Sequence, residues 1–400
     1  MRPETQTINL ETEAVLEPKI CFDHPLSEDW QTPKSIFLTG ATGFLGVYLL
    51  HELLQKTTAK IYCLVRCDNY DGGFDRLKKA LQFYDLWQDV FRDRLFVVIG
   101  DLSQPLFNLS QQEFELLATE IDIIYHSAAW LDISCSYWKL KATNVIATQE
   151  VLRLASIAKT KPVNYISSLG VFFTPNYSEN DRILETDMAD FSALKNGYQK
   201  TKAVSEKLVQ LARERGLSGC TYRPGRIMAD SKTGIISNFA YFLVKLVKAC
   251  ILLGKFPSKS ITLEIAPVDY VSQAIVSLSL QKNSLGKTFH LSNPQATSWN
   301  NLINEVSSLG WSLKEVDYQQ WLEELEDYVS TQGDNELSRL VQHLKNSPYN
   351  VFSPRPQFDI SLTSEGLAGT SIICPPLDRK LLKVYFSYLT NSGYLPAPGT

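Results

Sequence analysis

The stretch Thr39-Gly40-Ala41-Thr42-Gly43-Phe44-Leu45-Gly46 follows the apolar run Ser35-Ile36-Phe37-Leu38 and opens the apolar segment Val47-Tyr48-Leu49-Leu50-His51-Glu52-Leu53-Leu54. It reads as strand, tight glycine turn and helix. Glycines at 40, 43 and 46 let the backbone turn sharply, let a pyrophosphate approach the main chain, and let the helix pack close on the strand. The N–H groups at the helix start then face the anion. Gly-rich turns also occur for purely structural reasons, but G-x-x-G-x-x-G between a strand and a helix specifies a dinucleotide site. The expected contacts within it are Gly40, Thr42, Gly43, Phe44, Leu45 and Gly46.

From Ser35 onward the chain alternates. Apolar strand candidates fall at 35–39, 60–66, 95–99, 122–126 and 162–167, separated by helical stretches such as 45–56, 111–119 and 142–158. This alternation predicts an α/β fold, a Rossmann-type doubly wound parallel sheet with helices on both faces. Past Tyr222 it becomes ragged, although Pro267 to Leu280 and Lys287 to Leu291 would complete the sheet. The predicted division is a leading linker at 1–33, a dinucleotide-binding domain at 34–224 and 266–291, and a smaller, mostly helical substrate domain at 225–265 and 292–400. Helices such as Trp321 to Tyr328 and Leu337 to Leu344 would cap the carboxyl edge of the sheet, where ligands of open α/β sheets bind.

Composition narrows the partners. Charged residues are 20% of the chain, the apolar set is 44%, and the formal net charge is −4, so nucleic acid and anionic membranes are not expected as bulk partners. Seven cysteines are scattered, and Cys63 and Cys67 lack a second Cys or His pair at ligand spacing, so no metal is expected. Met1 to Asn9 lacks the basic-then-apolar order of a signal peptide. The longest apolar stretch, Ile235 to Leu253, is interrupted by Asn238, Lys245 and Lys248 and reads as a partly buried helix. A cytoplasmic protein with no membrane span is the expectation.

The second strand ends at Cys63-Leu64-Val65-Arg66, where an NAD-preferring fold would place an acidic residue against the ribose hydroxyls. Arg66 there, joined by Arg76 on the next helix, suits a 2′-phosphate and points to NADPH, although Asp68 lies close by and Arg76 also fits a solvated helix face. Asp101, in Gly100-Asp101-Leu102, is placed to accept from the adenine amino group. His126 reads as a packed strand-end histidine, and Ser127, Ala128 and Ala129 after it are small enough for the ribose and nicotinamide to lie against backbone. Ser168 ends the fifth strand, and Tyr198 and Lys202 lie one turn apart on an amphipathic helix. A lysine ammonium lowers the phenol's pKa and holds a ribose, the phenol donates its proton to a developing oxyanion, and the serine adds a second hydrogen bond.

With these stretches in hand, the chain resembles the extended short-chain dehydrogenase/reductase superfamily. Within it, the likeness is to the thioester reductase domains that end nonribosomal peptide and polyketide synthetases and are related to carboxylic acid reductases. Further matching segments are Asn144-Val145, Tyr222-Arg223-Pro224-Gly225-Arg226-Ile227, Pro267-Val268-Asp269-Tyr270, Cys374-Pro375-Pro376-Leu377-Asp378 and Asn391-Ser392-Gly393-Tyr394-Leu395, and Leu10 to Ile20 looks like the linker to an upstream carrier. The resemblance implies NADPH-dependent reductive release of an acyl or peptidyl thioester from a carrier protein's phosphopantetheine arm, with the helical domain at 225–265 and 292–400 facing both the substrate and the carrier protein. The product is an aldehyde, reduced again to an alcohol by some relatives. It also implies Tyr198 as acid, Lys202 as its modulator and ribose ligand, Ser168 as oxyanion donor, and Leu102, Asn144, Pro224 and Gly225 as further cofactor contacts. Ala147 and Ala229 replace glycines common in the matching motifs and bear on pocket width. The rival readings are a fatty acyl-CoA reductase, a sugar-nucleotide epimerase or dehydratase on the same fold, a redox-sensing binding protein, and release by cyclisation. Arg66 and the carrier-type linker argue against the epimerase, and retention of Ser168, Tyr198 and Lys202 argues against the sensor.

Overall fold

Seven apolar runs pair into a single sheet in the computed structural model, which describes residues 8–237, 242–259, 261–346 and 352–399. They are β1 (Ser35–Thr39), β2 (Lys60–Val65), β3 (Leu95–Ile99), β4 (Ile123–His126), β5 (Val163–Ile166), β6 (Gly219–Pro224) and β7 (Thr288–Leu291). All neighbours are parallel, and the spatial order is β7-β6-β5-β4-β1-β2-β3. The chain winds outward from β1 to β3, then returns to lay β4 on the other side of β1. The β1–β4 boundary is therefore the topological switch point, the place where such sheets open a crevice beyond their carboxyl ends.

Side chains alternate across the strands with the period of two that a pleated strand imposes. Ile36 and Leu38 join one core layer while Phe37 joins the other, and Ile61, Cys63 and Val65 part from Tyr62 and Leu64 in the same way. One face is covered by α1 (Phe44–Lys56), α2 (Tyr70–Phe83) and the helix Val268–Ser279. The opposite face is covered by α3 (Gln111–Glu120), α4 (Tyr137–Lys141), α5 (Ala147–Ser156) and α6 (Gly197–Glu214). Helix starts follow local chemistry. Ser110 and Glu113 cap α3 reciprocally, and Asn196 and Gln199 do the same for α6.

One predicted helix differs. The stretch expected at 142–158 begins five residues earlier, at Tyr137, and carries a π turn at Ala142–Ile146 between α4 and α5. The extra residue in that turn shifts the helix phase, so no single 3.6-residue periodicity runs through the sequence there. The apolar stretch 235–253 contains the helix Phe242–Leu253, while its residues 238–241 lie outside the described residues, as do residues 1–7 of the polar N-terminus. Among the described residues no helix is long and apolar enough to cross a membrane.

A second lobe has its own core, built from Leu243, Leu246, Trp299, Ile303, Trp321, Leu325, Leu340 and Tyr385 among others. Trp299 and Trp321 are fully buried and donate their indole N–H groups to the Pro257 and Lys255 carbonyls, at 2.9 and 3.1 Å. Two stretches pack elsewhere than the sequence grouping placed them. Leu10, Leu16, Ile20 and Phe22, within the expected linker, are buried on the α5–α6 side of the sheet, and Arg215 donates to the Leu16, Glu17 and Ile20 carbonyls. Residues 357–374, grouped with the second lobe, lie on the first. Gln357–Phe358 pairs with Arg182–Ile183, and the buried Glu185 carboxylate accepts from the amides of Leu362 and Thr363. A carboxylate this deep needs such donors, and those two amides supply them from far along the chain.

Candidate active site

The loops leaving β1 and β4 touch at the switch point. Gly40 has φ +80°, and a Cβ there would lie 2.7 Å from the Ala128 nitrogen; a Cβ at Gly46 would lie 1.8 Å from the Gly40 carbonyl oxygen. Both positions therefore exclude any side chain, and the Gly43 amide closes the turn by donating to the Gly40 carbonyl at 2.8 Å. The turn opens the 13-residue helix α1, whose first N–H groups face the crevice end of the sheet. This cradle fits a dinucleotide pyrophosphate, with Thr42, Phe44 and Leu45 on the same turn. Thr39 ties the two loops together. Its Oγ1 accepts from the Ala128 amide at 3.2 Å and pairs with His126 Nδ1 at 2.8 Å, while His126 Nε2 meets Thr148 Oγ1 at 3.2 Å. Burial pushes the His126 imidazole down to about 3. It is a packed neutral histidine, as its sequence setting predicts.

At the far side of the crevice, Arg66 stands just past β2 and Asp101 just past β3, with Leu102 beside it. Asp101 Oδ1 accepts from the Ser103 amide and hydroxyl at 2.9 and 2.8 Å. Partial burial raises its pKa, but those bonds and the nearby Arg66 cation outweigh it and hold the carboxyl below its ordinary range. Arg76, one helix face away, donates to the Arg66 carbonyl. Two exposed guanidinium groups thus share one edge.

The catalytic candidates gather around the start of α6. Lys202 is buried; its ammonium donates to the Ile166 carbonyl and lies 4.4 Å over the Tyr165 ring. Burial pushes it down to about 7, against the opposing pull of Glu206 one turn further on. Tyr198 is one turn before it and half-buried. Ser168 caps the short turn Leu169–Phe172, its Oγ accepting from the Gly170 amide at 2.9 Å, which leaves its O–H as a donor. Three residues outside the expected set hold this group in place. Gln199 donates to the Gly170 and Phe173 carbonyls at 2.9 and 2.8 Å, fastening the Ser168 loop to α6. Glu206 accepts from the Ser167 hydroxyl and from Arg223, a pair with both side chains buried. The signals were present: Asn196 and Gln199 have capping-box spacing, and 198, 202 and 206 recur every four residues.

Asn144 lies in the π turn. Its Oδ1 accepts from the Trp130 amide at 2.7 Å, and its Nδ2 donates to the Trp130 carbonyl at 3.2 Å and to Thr201 Oγ1 at 3.0 Å. Both amide protons are engaged, so its side chain braces the Ser127–Ala129 loop against α6. Pro224 ends β6 opposite Leu291, and the Gly225 amide donates to the Leu291 carbonyl at 3.1 Å. Ala147 and Ala229 are both buried, Ala229 within the second-lobe core and accepting through its carbonyl from the Tyr385 hydroxyl. The seven cysteines are unpaired, and among the described residues no group of three His, Cys, Asp or Glu is placed to hold a metal ion.

The family described as male sterility protein matches residues 38–275. The chain is 37% identical over 395 residues to a linear gramicidin synthase of Brevibacillus parabrevis, covering 98% of this chain and 8% of that protein. It is 31% identical over 401 residues to L-2-aminoadipate reductase of Schizosaccharomyces pombe, covering 94% of this chain and 28% of that one. The crystal structure of the terminal R domain from the myxalamid polyketide–nonribosomal peptide pathway superposes with a TM-score of 0.91 at 39% identity, over 97% of this chain and 98% of that one. The chain thus spans a small part of the length of its curated relatives and nearly all of a solved reductase domain.

Proposed function

The chain belongs to the male sterility protein family, alongside the terminal reductase domains of peptide and polyketide synthetases, and from that membership we propose that it is an NADPH-dependent thioester reductase. Its substrate is an acyl or peptidyl group held as a thioester on a carrier protein's phosphopantetheine arm, and its product is the aldehyde. The observation that carries this reading is the convergence, at one end of the sheet, of the glycine cradle, the Ser168 turn and the Tyr198–Lys202 face of α6.

Bound in the crevice, NADPH supplies hydride to the thioester carbonyl carbon. The Ser168 hydroxyl and the Tyr198 phenol donate to the carbonyl oxygen, and Tyr198 gives up its proton as negative charge builds there. Lys202, held by the Ile166 carbonyl, places a cation beside the phenol, which favours the phenolate left behind. The hemithioacetal then collapses: the Tyr198 phenolate takes back the hydroxyl proton as the C=O bond re-forms, the C–S bond breaks, and the sulfur leaves on the arm as a thiolate that takes a proton from solvent. Arg66 and Arg76 supply paired guanidinium donors for the 2′-phosphate and thus the preference for NADPH, with Asp101 at the adenine end. The second lobe borders the substrate side.

The test is NADPH oxidation by the purified protein with a medium-chain acyl group presented both as a pantetheine thioester and on a carrier protein, with the product identified by mass spectrometry. Aldehyde or alcohol formed with matching NADPH consumption is the expected result. Tight NADPH binding with no oxidation in either form would sink the reading.

A further inference from the structure

Three large apolar side chains stand in solvent within four consecutive positions: Trp130 at 40% exposure, Leu131 at 67% and Ile133 at 44%. Soluble surfaces seldom gather such groups without a partner to cover them. These do not belong to a slack loop. The Trp130 backbone is held on both sides by the Asn144 amide, which also reaches Thr201 on the catalytic helix. The Asp132 carboxylate then closes the next turn, accepting from the Ser134 amide and hydroxyl at 3.0 and 2.6 Å and from the Cys135 thiol at 3.2 Å. The loop therefore forms a fixed rim joining the cofactor cradle, through Ala128, to the start of α6.

On the reductase reading above, we propose that this rim, on the sheet domain rather than on the helical domain expected to face the carrier, is the docking surface for the carrier protein that presents the thioester. A group delivered on a pantetheine arm must enter beside Tyr198 and Ser168, and the rim borders that entrance. Its apolar side chains suit the uncharged part of a protein face; an aromatic anchor on a pre-set backbone is the kind of residue that dominates such contacts. Lys139, whose ammonium lies 5.3 Å over the Trp130 ring, adds a cation that selects a partner with acidic groups around its apolar patch. The docked stretch Leu10–Glu13 approaches the far end of the same rim, where Glu13 accepts from the Tyr137 hydroxyl at 2.8 Å and pairs with Lys141.

The experiment compares kcat/KM for one acyl group on a holo-carrier protein and as a free pantetheine thioester. The parent protein is set against Leu131→Ser, the triple variant Trp130→Ser/Leu131→Ser/Ile133→Ser, and Lys139→Glu. Leu131→Ser alters the most exposed of the three and keeps the test decisive should the triple variant fold poorly. The expected result is a loss of about tenfold or more for the carrier-bound substrate in each variant, with the pantetheine thioester changed less than about twofold. Equal losses on both substrates, or no loss on the carrier, would overturn the docking assignment while leaving the reductase reading standing. A parent protein inactive on both substrates would overturn the reductase reading, and the docking assignment with it.

Discussion

On α6, charge is buried and matched. Lys202 and Glu206 lie one turn apart, Glu206 is paired with Arg223, and Arg223 is fixed further by the Glu185 and Asp187 carbonyls and by His290. At the carboxyl end of β2, Arg66 and Arg76 carry their charges in water, linked through one backbone carbonyl. The first arrangement makes chemistry and folding inseparable, because a buried ion that loses its partner keeps its desolvation cost. The second leaves two exposed cations whose loss costs the fold little. The same element, charge, is structural in one place and, on the proposed reading, a ligand contact in the other.

The sharpest way to break this contrast is to remove chemistry without charge. Tyr198→Phe should lower turnover of the pantetheine thioester about 10²- to 10⁴-fold while leaving NADPH affinity within about twofold, by stopped-flow and fluorescence titration. Near-normal turnover would remove Tyr198 as the acid. Next in size, Glu206→Ala strands the Arg223 guanidinium and should cost about 3–5 kcal/mol in urea unfolding, whereas Arg66→Ala should stay within about 0.5 kcal/mol of the parent. Similar costs for the two would erase the distinction between buried and exposed charge.

The buried network also fixes a protonation state. Arg223 can only donate, so His290 Nε2 accepts from it at 3.0 Å, and Nδ1–H donates to the Asp359 carbonyl at 2.8 Å. Burial first, then the Arg223 charge, push His290 down to about 3. Between pH 6.5 and 3 the unfolded chain therefore binds a proton there that the folded chain refuses. Stability falls as pH falls through that window, by about 1.4 kcal/mol per pH unit for each such histidine. His290→Gln should remove one such increment from the slope of unfolding free energy against pH, and an unchanged slope would mean that His290 is charged in the fold. The smallest effect belongs to the exposed edge. Arg66→Ala should raise KM for NADPH by about tenfold and barely move KM for NADH, and equal shifts would remove the 2′-phosphate argument.

What the sequence disclosed and what it withheld divide along similar lines. The glycine turn, six of the sheet's seven strands and the one-turn spacing of Tyr198 and Lys202 were legible because each rests on residues a few positions apart: a turn that excludes a Cβ, a period of two, a period of four. The strand Gly219–Pro224 was not singled out, and the strand expected at Pro267 pairs with Arg226–Met228 outside the main sheet. The bracing of the site was not legible. Glu206 meets an arginine 17 positions away, and Glu185 accepts from Leu362 and Thr363, 177 and 178 positions on. Nothing local marks those residues as partners, so residues 357–374 could not be assigned to the first lobe beforehand. Asn144 was legible as part of a motif, but its bonds to Trp130 and Thr201 depend on a helix irregularity that no periodicity announces.

That irregularity, the π turn at Ala142–Ile146, also sets how the chain can change length. Tyr137 and Leu140 before it and Val151, Leu152 and Leu154 after it are all buried, although they belong to two helical segments out of step with one another. The turn holds one residue more than an α-helix needs for the same rotation, so deleting one residue from it would restore an unbroken α-helix with both apolar stripes still facing the core. What would change is the bulge itself, where Asn144 holds the Trp130 backbone. A single-residue deletion there would therefore fall on the brace that Asn144 supplies to the Trp130 loop and leave the two flanking helices packed as they are.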